Sequence, residues 1–251
     1  MVTISSGSGS FDIRQINFIS VIHGIPDKHT GTHFKTAPDE FNGHGFRYKS
    51  YTDPTTGSFV SIPSAGTVTE YYNSFFHMTI TGLDVAVTDF VTAAKTASLS
   101  DNRRLIEEML NGRDTYEGGR GDSYMATFAG NDTLIGGGGQ DVLFGGAGAD
   151  TFVFKKISDS TTSRYDALMD FSIADHDKID LSVLNAGLKA KGDATLHFIG
   201  THALDHHAGE LHVFYANNNT FVGADIDGDG KDDFGIGIAG TVHLTQHAFV
   251  L

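Results

Sequence analysis

The chain contains no cysteine, so it can form neither a disulfide framework nor a thiolate metal site. Positive charge is scarce, with 17 Lys and Arg against 31 Asp and Glu and a formal charge of -14. A nucleic-acid binder needs a basic footprint to neutralise phosphates, and an anionic bilayer repels an acidic chain, so neither is an expected partner. No apolar run approaches the ~18 residues of a spanning helix, and no membrane insertion is expected. The opening MVTISSGSGSFDIRQINFISVI lacks a basic stretch, and polar residues interrupt its apolar positions. It therefore does not read as a secretory signal peptide. No G-x-S-x-G elbow, P-loop or dinucleotide fingerprint is present, so no catalytic motif points to an enzyme.

What is present is enough for a packed core: 251 residues, 39% hydrophobic and 11% aromatic, sized for one large domain or two to three small ones. Self-similarity appears at a period of nine from Met109 to Val153, as MLNGRDTYE, GGRGDSYMA, TFAGNDTLI, GGGGQDVLF and GGAGADTFV. The fourth position is always Gly (Gly112, Gly121, Gly130, Gly139, Gly148), and the eighth is always large and apolar (Tyr116, Met125, Leu134, Leu143, Phe152). The sixth is Asp114, Ser123, Asp132, Asp141 and Asp150, with Asp122 one place early in the second unit. Glycines let a loop take positive φ and bring backbone carbonyls close to an ion, while Asp adds a carboxylate. The next three residues read as a short strand whose central side chain points inward. A flexible Gly-rich linker would have the same composition but no reason to keep an apolar eighth position.

These repeats resemble those of the repeats-in-toxin (RTX) proteins. The resemblance implies a parallel β-roll in which two successive units make one turn and calcium sits between units on the same side. Ions are then expected between the first and third, second and fourth, and third and fifth units. Phe154 to Thr162 continues the frame with Asp159 at its sixth position, giving a fourth site. The implied ligands are Asp132, Asp141 and Asp150, then Asp114, Asp122 and Asp159, with the loop glycines Gly130, Gly137, Gly139, Gly146 and Gly148. About three to four calcium ions would sit in the roll. Thr127-Phe128 and Met109-Leu110 replace glycine pairs, and Ser123 replaces an Asp, so the site on that side should be weaker.

Beyond the repeats, ADTFVFKKISDS (149–160), DALMDFSIADHDKIDLSVLNA (166–186), AGELHVFY (208–215) and GADIDGDGKDDFGIGIAGTVHLTQHAFVL (223–251) resemble the C-terminal domain of serralysin-type secreted proteins. The runs Leu211–Tyr215 and Phe234–Ile238, divided by Asn and Gly clusters, indicate short antiparallel strands and a sandwich-like cap. The resemblance implies a calcium-binding protein exported from a Gram-negative cell by the type I secretion apparatus, with an uncleaved signal near His247-Ala-Phe-Val-Leu251. Asp225, Asp227 and Asp229 are spaced like the start of an EF-hand loop, but Ile236 stands where that loop needs Glu. They are candidate ligands or an acidic β-turn. Asp166, Asp170, Asp177 and Asp180 read more readily as capping and turn residues.

Residues 1–108 specify no chemistry. Alternation in FDIRQINFISVI, SFVSI, TVTEYY and FHMTI predicts strands, followed by helices over about Asp84–Ala97 and Asp101–Leu110. A β-rich unit with a helix that caps the open roll is expected. His23, His29, His33 and His44, with Asp27 and Asp39, are the densest group of zinc or nickel ligand types. His29 and His33 are four apart, but Thr30-Gly31-Thr32 is a poor helix without a Glu base, so surface-loop histidines are expected. The chain divides into 1–108, a roll over 109–162 and a C-terminal domain over 163–251, mainly β throughout. Its function reads first as secreted calcium binding, with a small N-terminal hydrolase domain or an adhesin binding an extracellular protein or glycan as alternatives.

Overall fold

The computed structural model describes residues 110–192 and 195–251 and, by their backbone, six strands between residues 3 and 86. These strands are β1 (Thr3–Ser6), β2 (Pro26–His29), β3 (His33–Thr36), β4 (Asp39–Thr52), β5 (Phe59–Asn73) and β6 (Met78–Ala86). They run antiparallel in the order β1-β6-β5-β4-β3-β2. SFVSI and TVTEYY merge into β5. Asp84 to Ala86, expected to open a helix, instead close β6, because Val85 and Ala86 are committed to ladder pairs with Val68 and Thr67. The rest of that helix, residues 101–109 of the next one and FDIRQINFISVI lie outside the described residues. His29 ends β2 and His33 begins β3, so their spacing of four spans a hairpin rather than a helical turn.

Each nonapeptide forms one three-residue strand: β7 (Thr115–Glu117), β8 (Tyr124–Ala126), β9 (Thr133–Ile135), β10 (Val142–Phe144) and β11 (Thr151–Val153). Successive strands alternate between two sheets, so each pairs in parallel with the strand 18 residues on: Tyr116 opposite Leu134, Met125 opposite Leu143. The eighth-position side chain of every unit is buried, since side chains alternate across a strand and the flanking two face outward. Tyr116, Leu134 and Phe152 from one sheet meet Met125 and Leu143 from the other in a single core.

The ladders do not stop at residue 162. β12 (Asp166–Leu168) follows β10, and β13 (Lys178–Asp180) follows β11. The helix α1 (Ser182–Lys191) then buries Leu184 and Leu188, one turn apart, and ends on Gly192 in the left-handed conformation. The sequence reading assigned no helix there. Beyond it lie β14 (His197–Gly200), β15 (Glu210–Ala216), β16 (Asn219–Asp225), β17 (Phe234–Ile238) and β18 (Phe249–Val250). The expected antiparallel strands are β15 and β17, each paired with β16, and β17 pairs in parallel with β12, so this cap is continuous with the second sheet of the roll. β18 closes the first sheet by pairing with β13, and Phe249 packs against Phe198. At the other end, β1 pairs in parallel with β7 and joins the N-terminal strands to the same sheet. Among the described residues no helix is long and apolar enough to cross a membrane.

Leu134 is wholly buried between the sheets. Leu134→Ala is expected to lower the unfolding free energy by about 2–5 kcal/mol in denaturant titrations. Exposed Gln140→Ala should change it by less than about 0.5 kcal/mol. Equal effects would place the inner face elsewhere.

Candidate metal centre

The loops that precede the strands stack along both edges of the roll, and one contact recurs in them. Asp132 Oδ1 accepts the backbone N–H of Asp114 at 2.8 Å, and Asp150 Oδ1 accepts that of Asp132 at 2.8 Å. On the opposite edge Asp141 Oδ1 accepts the N–H of Ser123 at 2.7 Å. The series goes on where the nine-residue period has lapsed: Asp166 Oδ1 accepts Asp141 N–H and Asp177 Oδ1 accepts Asp150 N–H, both at 2.9 Å. Each of these five Asp residues thus ties its loop to the loop one turn before.

Only one carboxylate oxygen is used in this way. Oδ2 of Asp132, Asp141, Asp150 and Asp166 is buried and accepts no hydrogen bond from the protein. Burial without a partner disfavours the charged form. Desolvation raises Asp132 and Asp141 to about 6, Asp150 to about 7 and Asp166 to about 9, with the neighbouring carboxylates adding to the rise. Asp177 is also raised by burial, but its second oxygen accepts the N–H of Ser172 at 2.8 Å. Without a cation, Asp166 and about half of Asp150 therefore keep their protons at neutral pH.

Residues 118–251 match the family described as Peptidase M10 serralysin C terminal, which spans more than half of the chain. The chain belongs to this family. The match begins in the second repeat and leaves residues 1–117 outside it. The AlgE6R3 subunit of the mannuronan C5-epimerase from Azotobacter vinelandii is 28% identical, over 55% of this chain and 73% of its own, with a TM-score of 0.40. The AlgE6R2 subunit of that epimerase is 22% identical over 56% and 86%, with a TM-score of 0.39. The extracellular lipase LipA of Serratia marcescens is 13% identical over 99% of this chain and 38% of its own, with a TM-score of 0.32. No curated protein matches the chain.

RTX-type rolls bind calcium, and the loops of this serralysin-type domain fit that ion. Calcium takes six to eight oxygen ligands, with carboxylates and backbone carbonyls in flexible geometry. A Cβ on Gly136 or Gly145 would run into Oδ2 of Asp141 or Asp150, so glycine keeps a cradle open beside each orphaned oxygen. Gly130, Gly139 and Gly148 hold φ of 152°, 131° and 128°, and Gly137 and Gly146 hold 88° and 82°. These values stack loop on loop: a Cβ at Gly148 would meet the carbonyl of Gly130, and one at Gly137 that of Gly119.

The other predicted residues are placed differently. Asp114 is buried at the start of the first-edge series. Asp122 is exposed and bound to Arg164 and to the N–H of Gln140, while buried Ser123 occupies the sixth position of that unit. Asp159 does not continue the frame. Its Oδ2 accepts the N–H groups of Lys155 and Lys156 and closes the short turn Ile157–Asp159, while Asp166 takes the frame position. Residues 157–165 are looped out between the two ladders. Asp170 accepts the N–H groups of Gly145 and Gly146, and Asp180 that of Ser182 ahead of α1. Asp225, Asp227 and Asp229 converge within 4.8 Å in the turn after β16, away from the roll, where both oxygens of Asp225 accept turn N–H groups at 2.7 Å.

Asp166 and Asp177 are the members of the series that sequence reasoning left as turn residues. The signal was the step from Asp to an inward apolar residue two places on. Asp166-Ala-Leu168 and Asp177-Lys-Ile179 repeat the step in Asp132-Thr-Leu134 although the repeat length has changed.

These raised acids set a pH dependence. Without divalent cation, the folded roll keeps protons that the unfolded chain has lost above about pH 4, so its stability falls as pH rises from about 4, and each contribution is gone once its folded value of about 6 to 9 is passed. In chelator the folded fraction should be larger at pH 5 than at pH 8. In millimolar calcium the order should reverse, because the ligands must be deprotonated. Denaturant melts showing the same slope in both media would count against a metal centre at these carboxylates.

Proposed function

We propose that this chain is a secreted calcium-binding RTX-type protein that folds on meeting calcium outside the cell after type I export. The orphaned Oδ2 atoms of Asp141, Asp150 and Asp166 carry the reading, because a dry, repeated, oxygen-only setting asks for a hard cation. Charge supports it. Residues 109–153 carry six acids and two bases, and residues 154–251 carry fourteen and seven. Without cations these carboxylates repel one another, so the ions' binding energy becomes folding energy. About three to four ions would load the roll, at the ~10⁻³ M calcium outside cells rather than the far lower level within.

Export unfolded through a channel suits a chain without cysteine, and the C-terminal segment His247–Leu251 is where the family resemblance puts the signal. Asp225, Asp227 and Asp229 are a further candidate calcium position.

Calcium, unlike magnesium at equal concentration, should raise β-structure cooperatively in circular dichroism; identical spectra in chelator and in millimolar calcium would defeat the proposal. Asp141→Ala and Asp150→Ala should each weaken the calcium midpoint more than Asp205→Ala, which lies in an exposed loop. Equal midpoints would mean that the ions sit elsewhere. Removal of the last ~50 residues should block export from a type I-competent host, and normal secretion of that truncation would overturn the export claim.

A further inference from the structure

The stacked loops are alike in path and unlike in one cradle. Gly136 and Gly145 open the fourth and fifth units, and each leaves the space beside its own unit's Asp Oδ2 empty. The third unit opens with Thr127, which is fully buried. Its backbone has not moved aside. Phe128 adopts φ 69°, a left-handed value unusual for a bulky residue, where Gly137 and Gly146 hold 88° and 82°. Asp132 likewise keeps the amide bridge to Asp114. The loop geometry is therefore that of its neighbours, with a side chain added inside it.

That side chain points along the stack. A Cβ at Gly118 would run into the carbonyl of Gly136, which opens the unit one turn later. At Thr127 the equivalent carbonyl is Gly145 O, and the Thr127 hydroxyl donates to it. The hydroxyl also lies beside the Asp132 carboxyl. One hydroxyl thus stands within reach of both a carboxylate of its own unit and a carbonyl one turn later.

We infer that Thr127 takes the place of a calcium ion between the third and fifth units, so that this position of the roll is bridged by the protein and stays unloaded. The inference rests on the calcium reading of the roll. Volume decides it: Cβ, methyl and hydroxyl fill the space that glycine leaves to an ion in the next two units. The bridge would let the middle of the roll join two turns before any ion arrives. Loading would then be confined to cradles that glycine or a reshaped loop keeps open, those of Asp141, Asp150 and Asp166 among them.

The test is a count of calcium ions per chain by native mass spectrometry from millimolar calcium, on the full chain and two variants. Thr127→Gly should bind one more ion than the unmodified protein, and Thr127→Val, which keeps the volume and loses the hydroxyl, should bind the same number. An unchanged count in Thr127→Gly overturns the inference, as does its failure to fold in calcium, since an ion should replace the lost bridge. One ion fewer in Thr127→Val also overturns it, because the hydroxyl would then be a ligand. If the unmodified chain binds no calcium, the calcium reading itself fails, which is a different result from a wrong count.

Discussion

The hydrogen bond from a loop amide to the carboxylate one turn later is the contact on which the rest of this structure depends. It is made by Asp132, Asp141, Asp150, Asp166 and Asp177, and it requires that each Asp reach back to the same point of the preceding loop. That requirement forces the loops into register, and the register forces the strands behind them into parallel ladders. It also pulls carboxylates into the protein interior. One oxygen is satisfied there and the other is not, so the fold buries acids that favour their protonated form unless a cation takes the proton's place.

The same contact explains how the roll outlasts its repeats. The steps to Asp166 and Asp177 are 25 and 27 residues rather than 18, and the excess is looped out in the turns around Ile157–Asp159 and Ser172–Asp177. Chain length between turns is free to vary as long as an Asp arrives two residues before an inward apolar side chain. On the first sheet β18 pairs beyond β13 and β1 beyond β7, so neither end of the repeat ladder is left with bare strand edges. The roll and its flanking segments share one pair of sheets, whose ladders run on past residue 162.

Acidity alone does not mark the buried Asp series. Asp122 and Asp159 belong to the same stretch as the buried series, yet one is held by Arg164 at the surface and the other by two amides of its own turn. Asp225 spends both oxygens on its turn, whereas Asp141 and Asp150 keep one oxygen back. The distinction lies in whether the second oxygen finds a donor: turn amides a few residues away satisfy both oxygens of Asp225, and none reaches Oδ2 of Asp141 or Asp150.

Much of the roll was legible in the residues themselves. A nine-residue period with Gly at four, Asp at six and a large apolar residue at eight dictates alternating loop and strand, because positive φ, a local carboxylate and a buried side chain each need those residue types. Asp132, Asp141 and Asp150 followed from that frame, as did the antiparallel strands around Leu211–Tyr215 and Phe234–Ile238. The tertiary structure decided what no local pattern encodes. It moved the frame from Asp159 to Asp166, drew Asp177 into the series, joined the N-terminal strands to the roll and set Thr127 in one cradle of the stack. The physical reason is that a ligand cradle is made by loops 18 to 27 residues apart meeting face to face. A repeat specifies each half of such a meeting, and only packing brings the halves together.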